Sequence, residues 1–157
     1  MTVVKWLDST EQQAWRTFIE VHSRLVAQLD AELQDAHGIS LPDYEVLVHL
    51  SEAPEGALRM AELAAHLMLS PSGLTRRLDG LVKDGLVERR ACPSDRRGSF
   101  AVLTAKGRAV LEEAAPTHVE GVRRYAIDPL SGDELTAFAG ALCHIGQGLP
   151  ERGPVPN

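Results

Sequence analysis

The side chains of this sequence that can do chemistry together are basic and small polar, and they crowd into one stretch. Ser70-Pro71-Ser72-Gly73 is followed by Thr75, Arg76, Arg77 and Lys83, then by Arg89, Arg90, Asp95, Arg96 and Arg97. Guanidinium and ammonium groups neutralise phosphates, and arginine beside small hydroxyl side chains can read base edges. Residues 70–108 hold nine cations against four anions, a net of +5. The whole 157-residue chain has 16 Lys+Arg against 22 Asp+Glu and a net charge of −6, so the remainder carries −11. The total argues against a polyanionic partner, whereas the distribution describes one electropositive surface on an acidic body.

Other chemistries find little support. The six histidines, His22, His37, His49, His66, His118 and His144, are scattered, with no Cys-x-x-Cys or His-Glu-x-x-His among them, so no metal is expected. There is no glycine-rich phosphate loop, nucleophile elbow or pair of carboxylates that the elements would bring together, so neither an enzyme nor a cofactor is expected. Ser72, between Pro71 and Gly73, fits a groove contact better than a nucleophile. Cys92 stands among Arg89, Arg90, Arg96 and Arg97, which can lower a thiol pKa, so a redox sensor is an alternative reading. Cys143, on a helix that should pack in a dimer, fits a small core residue. Two cysteines are too few for a disulfide framework, the N-terminus lacks a signal-peptide layout, and no apolar run approaches the roughly 18 residues of a membrane helix. These features predict a cytoplasmic protein with no membrane segment.

The elements that position the basic stretch follow from periodicity and punctuation. Apolar residues at Trp15, Phe18, Val21 or His22, Leu25, Leu29 and Leu33 form one stripe of a helix over 10–36, closed by Gly38. Ser40 with Asp43 caps a second helix that buries Tyr44, Leu47, Val48 and Leu50. After the turn Ala53-Pro54-Glu55-Gly56, a short helix runs over 60–67. Ser70 then caps a helix to about residue 84, with Pro71 at its first position. Its apolar side is Leu74, Leu78, Leu81 and Val82; Ser72, Thr75, Arg76, Asp79, Gly80 and Lys83 fall opposite. Gly73, lacking a side chain, permits close approach. Arg77, at the edge of the apolar side, calls for a phosphate or an internal acid. Lys83, Arg89 and Arg90 read either as phosphate clamps or as a charged rim. Residues 86–90 and 99–103 read as two strands around the turn Pro93-Ser94-Asp95-Arg96-Arg97-Gly98. Thr104 caps a helix containing Pro116, a predicted kink, and Ser131 with Glu134 caps the last helix.

A short helix, a turn, a second helix with a small-polar and basic outer side, and an Arg-rich hairpin together describe a winged helix-turn-helix. The fold class is therefore mainly α with a two-stranded wing. A helix fits the DNA major groove, free amides after Ser70 suit a phosphate, and a wing-tip arginine suits the minor groove, with Asp95 able to orient a neighbouring guanidinium. Met60-Ala61-Glu62-Leu63-Ala64, residues 70–85 and, above all, Cys92-Pro93-Ser94-Asp95-Arg96-Arg97-Gly98-Ser99-Phe100-Ala101-Val102-Leu103-Thr104 resemble the MarR family of bacterial transcriptional regulators. The resemblance implies that Arg97 enters the minor groove, that Asp95 orients it, and that the helix from Ser70 is the recognition helix. Cys92 departs from the family pattern, which more often has Asp before the proline.

The domain organisation predicted is one unit over 1–149, with a DNA-binding winged helix over 40–104, dimerisation helices over 10–37 and 104–148, and a flexible tail over 150–157. Trp15, Phe18, Leu25 and Leu29 at one end and Val119, Val122, Phe138, Leu142 and Ile145 at the other exceed what one copy can cover, which predicts a homodimer. A twofold dimer predicts a palindromic operator on double-stranded DNA, with half-sites about 34 Å apart. The resemblance further implies repression released by a small aromatic, often phenolic, or anionic effector, for which Trp15, His22, Tyr44, Glu45 and Arg59 are the candidate lining. A ligand-binding or protein-interaction module without specific DNA binding is the remaining alternative.

Overall fold

The computed structural model describes residues 4–92 and 95–150, apart from the side chains of Cys92, Asp95, Arg96 and Arg97. The first helix, α1 (Ser9–His37), starts at a reciprocal cap: Asp8 Oδ1 accepts from the Glu11 amide at 2.9 Å and Glu11 Oε2 from the Asp8 amide at 2.9 Å. It ends at Gly38, whose φ of +66° favours glycine. Its apolar stripe divides by position. Leu29 and Leu33 are buried in the common core, while Trp15, Phe18, Ile19 and Val21 are exposed.

Ser40 caps α2 (Leu41–Glu52), which buries Leu41, Tyr44, Val46, Leu47 and Leu50. A single 3-10 turn, Pro54–Gly56, carries Glu55 at φ +58° and leads into β1 (Ala57–Arg59). Nothing in the sequence marks this strand, because three residues have no usable periodicity and their ladder comes from a partner more than forty positions away. Then follow α3 (Met60–His66) and α4 (Pro71–Lys83), the two helices of the helix-turn-helix. Leu63, Leu74 and Leu78 are almost wholly withdrawn from solvent, and with Leu33, Leu47 and Leu50 they form the centre of the core. Val82 lies outside it, 37% exposed, which corrects its placement on the buried side of α4.

The wing consists of β2 (Val87–Cys92) and β3 (Asp95–Leu103), and β1 joins the far side of β3, giving an antiparallel sheet ordered β1-β3-β2. Pairing is regular from Val87 opposite Leu103 to Ala91 opposite Ser99, then slips so that Cys92 faces Asp95. The expected turn is therefore narrower than 93–98: Asp95, Arg96, Arg97 and Gly98 belong to β3. Turn-forming residue types are accommodated by slippage of the ladder between Ala91 and Cys92. Pro93 and Ser94 lie outside the described residues.

Thr104 caps α5 (Ala105–Val122), its Oγ1 accepting from the Gly107 amide at 2.9 Å. The helix runs through Pro116, and its departure from α geometry comes later, in a π-helical turn at Arg123–Ile127. Ser131 and Glu134 cap α6 (Gly132–Gln147) reciprocally, as expected. No residue of α6 is buried. Most of the tail expected over 150–157 lies outside the described residues. Among the described residues, no helix is long and apolar enough to cross a membrane.

Candidate nucleic-acid interface

The centre of the site is the start of α4. Ser70 Oγ accepts from the Gly73 amide at 3.1 Å and lies 3.2 Å from the Ser72 hydroxyl, while Pro71 occupies a position that needs no amide donor. Gly73 has a role the sequence did not show. A side chain there would begin 3.2 Å from Ser70 Oγ and press on the cap. Replacing Ser70 with Ala is expected to lower stability by about 0.5–2 kcal/mol, measured as a lowered denaturation midpoint with an unchanged m-value.

With Leu74, Leu78 and Leu81 buried, the helical period turns Ser72, Thr75, Arg76, Asp79 and Lys83 outward, and all five are exposed. Arg77 does not join them. Its Nη1 donates to Asp43 Oδ1 at 3.1 Å, with both side chains about two-thirds withdrawn from solvent. Of the two partners the sequence allowed it, the internal acid is present. Asp43 Oδ2 also accepts from the Ser40 hydroxyl at 2.7 Å, so one carboxylate links the start of α2 to the middle of α4.

Arg89 and Arg90 also have partners within the protein. Arg89 Nη2 donates to Asp79 Oδ1 at 2.7 Å and to the Thr75 carbonyl at 3.0 Å, crossing from β2 to α4. Arg90 Nη2 donates to Glu88 Oε1 at 2.9 Å on its own strand. Between the start of α4 and the base of the wing lies a cleft of about 380 Å³, lined in part by Arg59, Pro71, Thr75, Gly98 and Ser99. The Arg59 guanidinium lies 5.3 Å from the centre of the Phe100 ring, a cation–π pair that joins β1 to β3. The side chains of Asp95, Arg96 and Arg97, and that of Cys92, fall outside the described residues.

The five candidate effector residues do not converge within one protomer. Trp15 and His22 flank Phe18, at ring separations of 6.2 Å each, on the exposed part of α1. Trp15 is about 21 Å along the helix axis from Leu29, where α1 enters the core. Tyr44 is buried and packs 4.8 Å from the His118 ring of α5, Glu45 is exposed beside it, and Arg59 belongs to the wing-side cleft. His118 is the residue sequence reasoning missed. Burial lowers its pKa against the opposing pull of the Glu45 carboxylate, and burial raises that of Tyr44. His118 Nδ1 is buried without a hydrogen-bond partner. His49 and His66, seventeen positions apart, also meet, stacked 5.3 Å between ring centres. Among the described residues no three potential ligands gather into a metal site.

Comparison with known proteins agrees with this geometry. A model of the MarR family matches residues 37–98. Sco3205 of Streptomyces coelicolor, a MarR family transcriptional regulator solved in complex with DNA, is 38% identical with a TM-score of 0.89, over 94% of this chain and 92% of that one. AbsC of the same organism, also a MarR family transcriptional regulator, is 44% identical with a TM-score of 0.87, over 92% of this chain and 97% of that one. The HTH-type transcriptional repressor YetL of Bacillus subtilis is 36% identical over 81 residues, 52% of this chain and 48% of YetL. The match thus spans about half the length of such curated relatives, and nearly all of the two Streptomyces structures. A winged helix-turn-helix with a capped, polar and basic α4, matched along almost its whole length by two regulators of one family, places this chain in the MarR family of transcriptional regulators.

Proposed function

We propose that this protein is a homodimeric repressor that binds a palindromic operator in double-stranded DNA in the cytoplasm. The observation that carries this reading is the exposed start of α4, where Ser72, Thr75 and Arg76 stand on a helix capped by Ser70 and braced through Arg77 and Arg89. In the proposed complex α4 enters the major groove, the amides after Ser70 meet a phosphate, and Arg96 and Arg97 of the wing reach the adjacent minor groove, with Asp95 orienting Arg97. The DNA complex of Sco3205 supports the same use of the fold. Dimerisation assigns work to the segments outside the winged helix of 40–104, namely α1 and α5–α6, whose Trp15, Phe18, Phe138, Leu142 and Ile145 are exposed.

Fluorescence-anisotropy titration with DNA from upstream of its own coding sequence, at two salt concentrations, tests the reading. Binding should weaken steeply with salt, and Arg76→Ala or Arg97→Ala should each cost about 1–3 kcal/mol of affinity while the dimer persists. Binding that is absent or indifferent to salt overturns the proposal.

Release by a small aromatic acid or phenol is the regulatory half of the proposal. Its support is the unpartnered Nδ1 of His118 beside Tyr44 and Glu45, where α2 of the DNA-binding unit meets α5. A thermal-shift screen of aromatic acids should raise the melting temperature of the native protein but not of His118→Phe. No stabilising compound, or equal stabilisation of both, rejects this site.

A further inference from the structure

We propose that Arg89 is a positioning residue that fixes the wing against the recognition helix through Asp79, and that it is not a phosphate contact. This rests on the DNA-binding reading above. Arg89 stands in the middle of β2, opposite Ala101 of β3. Its guanidinium reaches away from the sheet to α4, where one nitrogen, Nη2, meets both Asp79 Oδ1 at 2.7 Å and the Thr75 carbonyl at 3.0 Å. Thr75 and Asp79 are one helical turn apart, so both acceptors lie on the same side of α4. Arg89 therefore ties the outer strand of the wing to the turn of α4 that presents Thr75 and Arg76.

The charges support this assignment. Asp79 is an anion on a helix side otherwise occupied by hydroxyls and cations, and its side chain is 62% exposed. Unpaired, it would repel the phosphates that α4 must approach. Paired, it and Arg89 present no net charge, so Arg89 has little charge left over for DNA and acts through geometry. Arg90 differs: its partner Glu88 is two residues away on the same strand, an ion pair that bridges no elements. The wing is also held to the body through β1 on the far side of β3, through Val87 and Ala101 in the common core, and through the Thr104 hydroxyl, which donates to the Gly85 carbonyl at 2.7 Å. To these apolar anchors the Arg89–Asp79 tie adds a directional one between β2 and α4, which bears on the angle between the element for one groove and the element for the next.

The test is the sign of the effect of Asp79→Asn, measured by anisotropy titration beside Arg89→Gln and the double variant. As a positioning pair, either single substitution weakens operator binding roughly five- to tenfold, and the double variant stays within about twofold of the weaker single, because both remove one interaction. Amides of β2 in the DNA-free protein should also exchange with deuterium faster in both variants. An exposed ion pair contributes little to folding, so both variants should melt within a few degrees of the native protein. If Arg89 contacts phosphate instead, Asp79→Asn frees it, and binding is equal to or tighter than native; that result overturns the proposal. Unchanged exchange in β2 overturns it as well. Failure of the native protein to bind DNA fells the DNA-binding reading itself, and is recognised before any variant is made.

Discussion

Phe138→Glu combined with Leu142→Glu is expected to convert the protein to monomers and to lower its affinity for a two-half-site operator at least about a hundredfold, the range in which linked binding events exceed single ones. The two residues lie one turn apart on α6, a helix that buries none of its side chains, and are 46% and 39% exposed. Ile145 continues the row at 55%, and Trp15 and Phe18 extend the apolar surface on α1 at 57% and 41%. In the proposed dimer these side chains cover one another, and two carboxylates placed among them would be desolvated without partners, which costs several kcal/mol per ion. The core of Leu33, Leu47, Leu50, Leu63, Leu74 and Leu78 contains no α6 residue, so the winged helix should keep its helical circular-dichroism signal. Sedimentation velocity supplies the decision. A variant that stays dimeric places the subunit interface elsewhere.

The second large effect is expected at Gly107, where Val should lower stability by about 2–4 kcal/mol, or a melting temperature roughly 5–15 °C lower for a chain of this size. A Cβ there would sit 2.1 Å from the Leu86 carbonyl oxygen and 2.8 Å from Leu103 Cδ1. The first is backbone at the entry to β2, and it cannot swing aside as a side-chain tip does. The same carbonyl accepts from the Thr104 amide at 3.1 Å and lies 3.0 Å from the Thr104 hydroxyl, so moving it disturbs the cap of α5 together with the foot of the wing. Gly140 of α6 makes a control of opposite sign. Nothing lies within 4 Å of its would-be Cβ, and Ala there should be neutral or stabilise by about 0.5–1 kcal/mol. Equal melting of the Gly107→Val variant and the native protein would contradict the close approach of α5 to the wing.

Features set by local spacing are legible in the sequence, and those set by a partner across the fold are not. The caps at Ser70, Thr104 and Ser131 depend on residues three positions apart, and each forms as its spacing predicts. The buried side of α4 is also local, needing only the helical period, and fails just at Val82, near the end of the helix. Partner choice is different in kind. Arg77 and Arg89 are indistinguishable in sequence from phosphate ligands, and only folding brings Asp43 and Asp79 within reach, from 34 and 10 positions away. The same limit hid β1, which exists because β3 passes beside it, and the His118 ring against Tyr44. Trp15 and Tyr44, on consecutive helices, looked like neighbours; the length of α1 separates them.

The order β1-β3-β2 has a consequence for solubility. Among the described residues it leaves two strands with one unpaired side each, and an unpaired side is a template on which a second sheet can grow. β1 is only three residues long, too short to recruit a stranger. β2 is six residues long, but it carries Glu88, Arg89 and Arg90 in succession, and a like strand laid against it would have to accommodate those charges. Charged side chains in succession on an edge strand disfavour its pairing with a copy of itself. Variants that neutralise this strand should be assayed for aggregation before a fall in operator binding is ascribed to recognition.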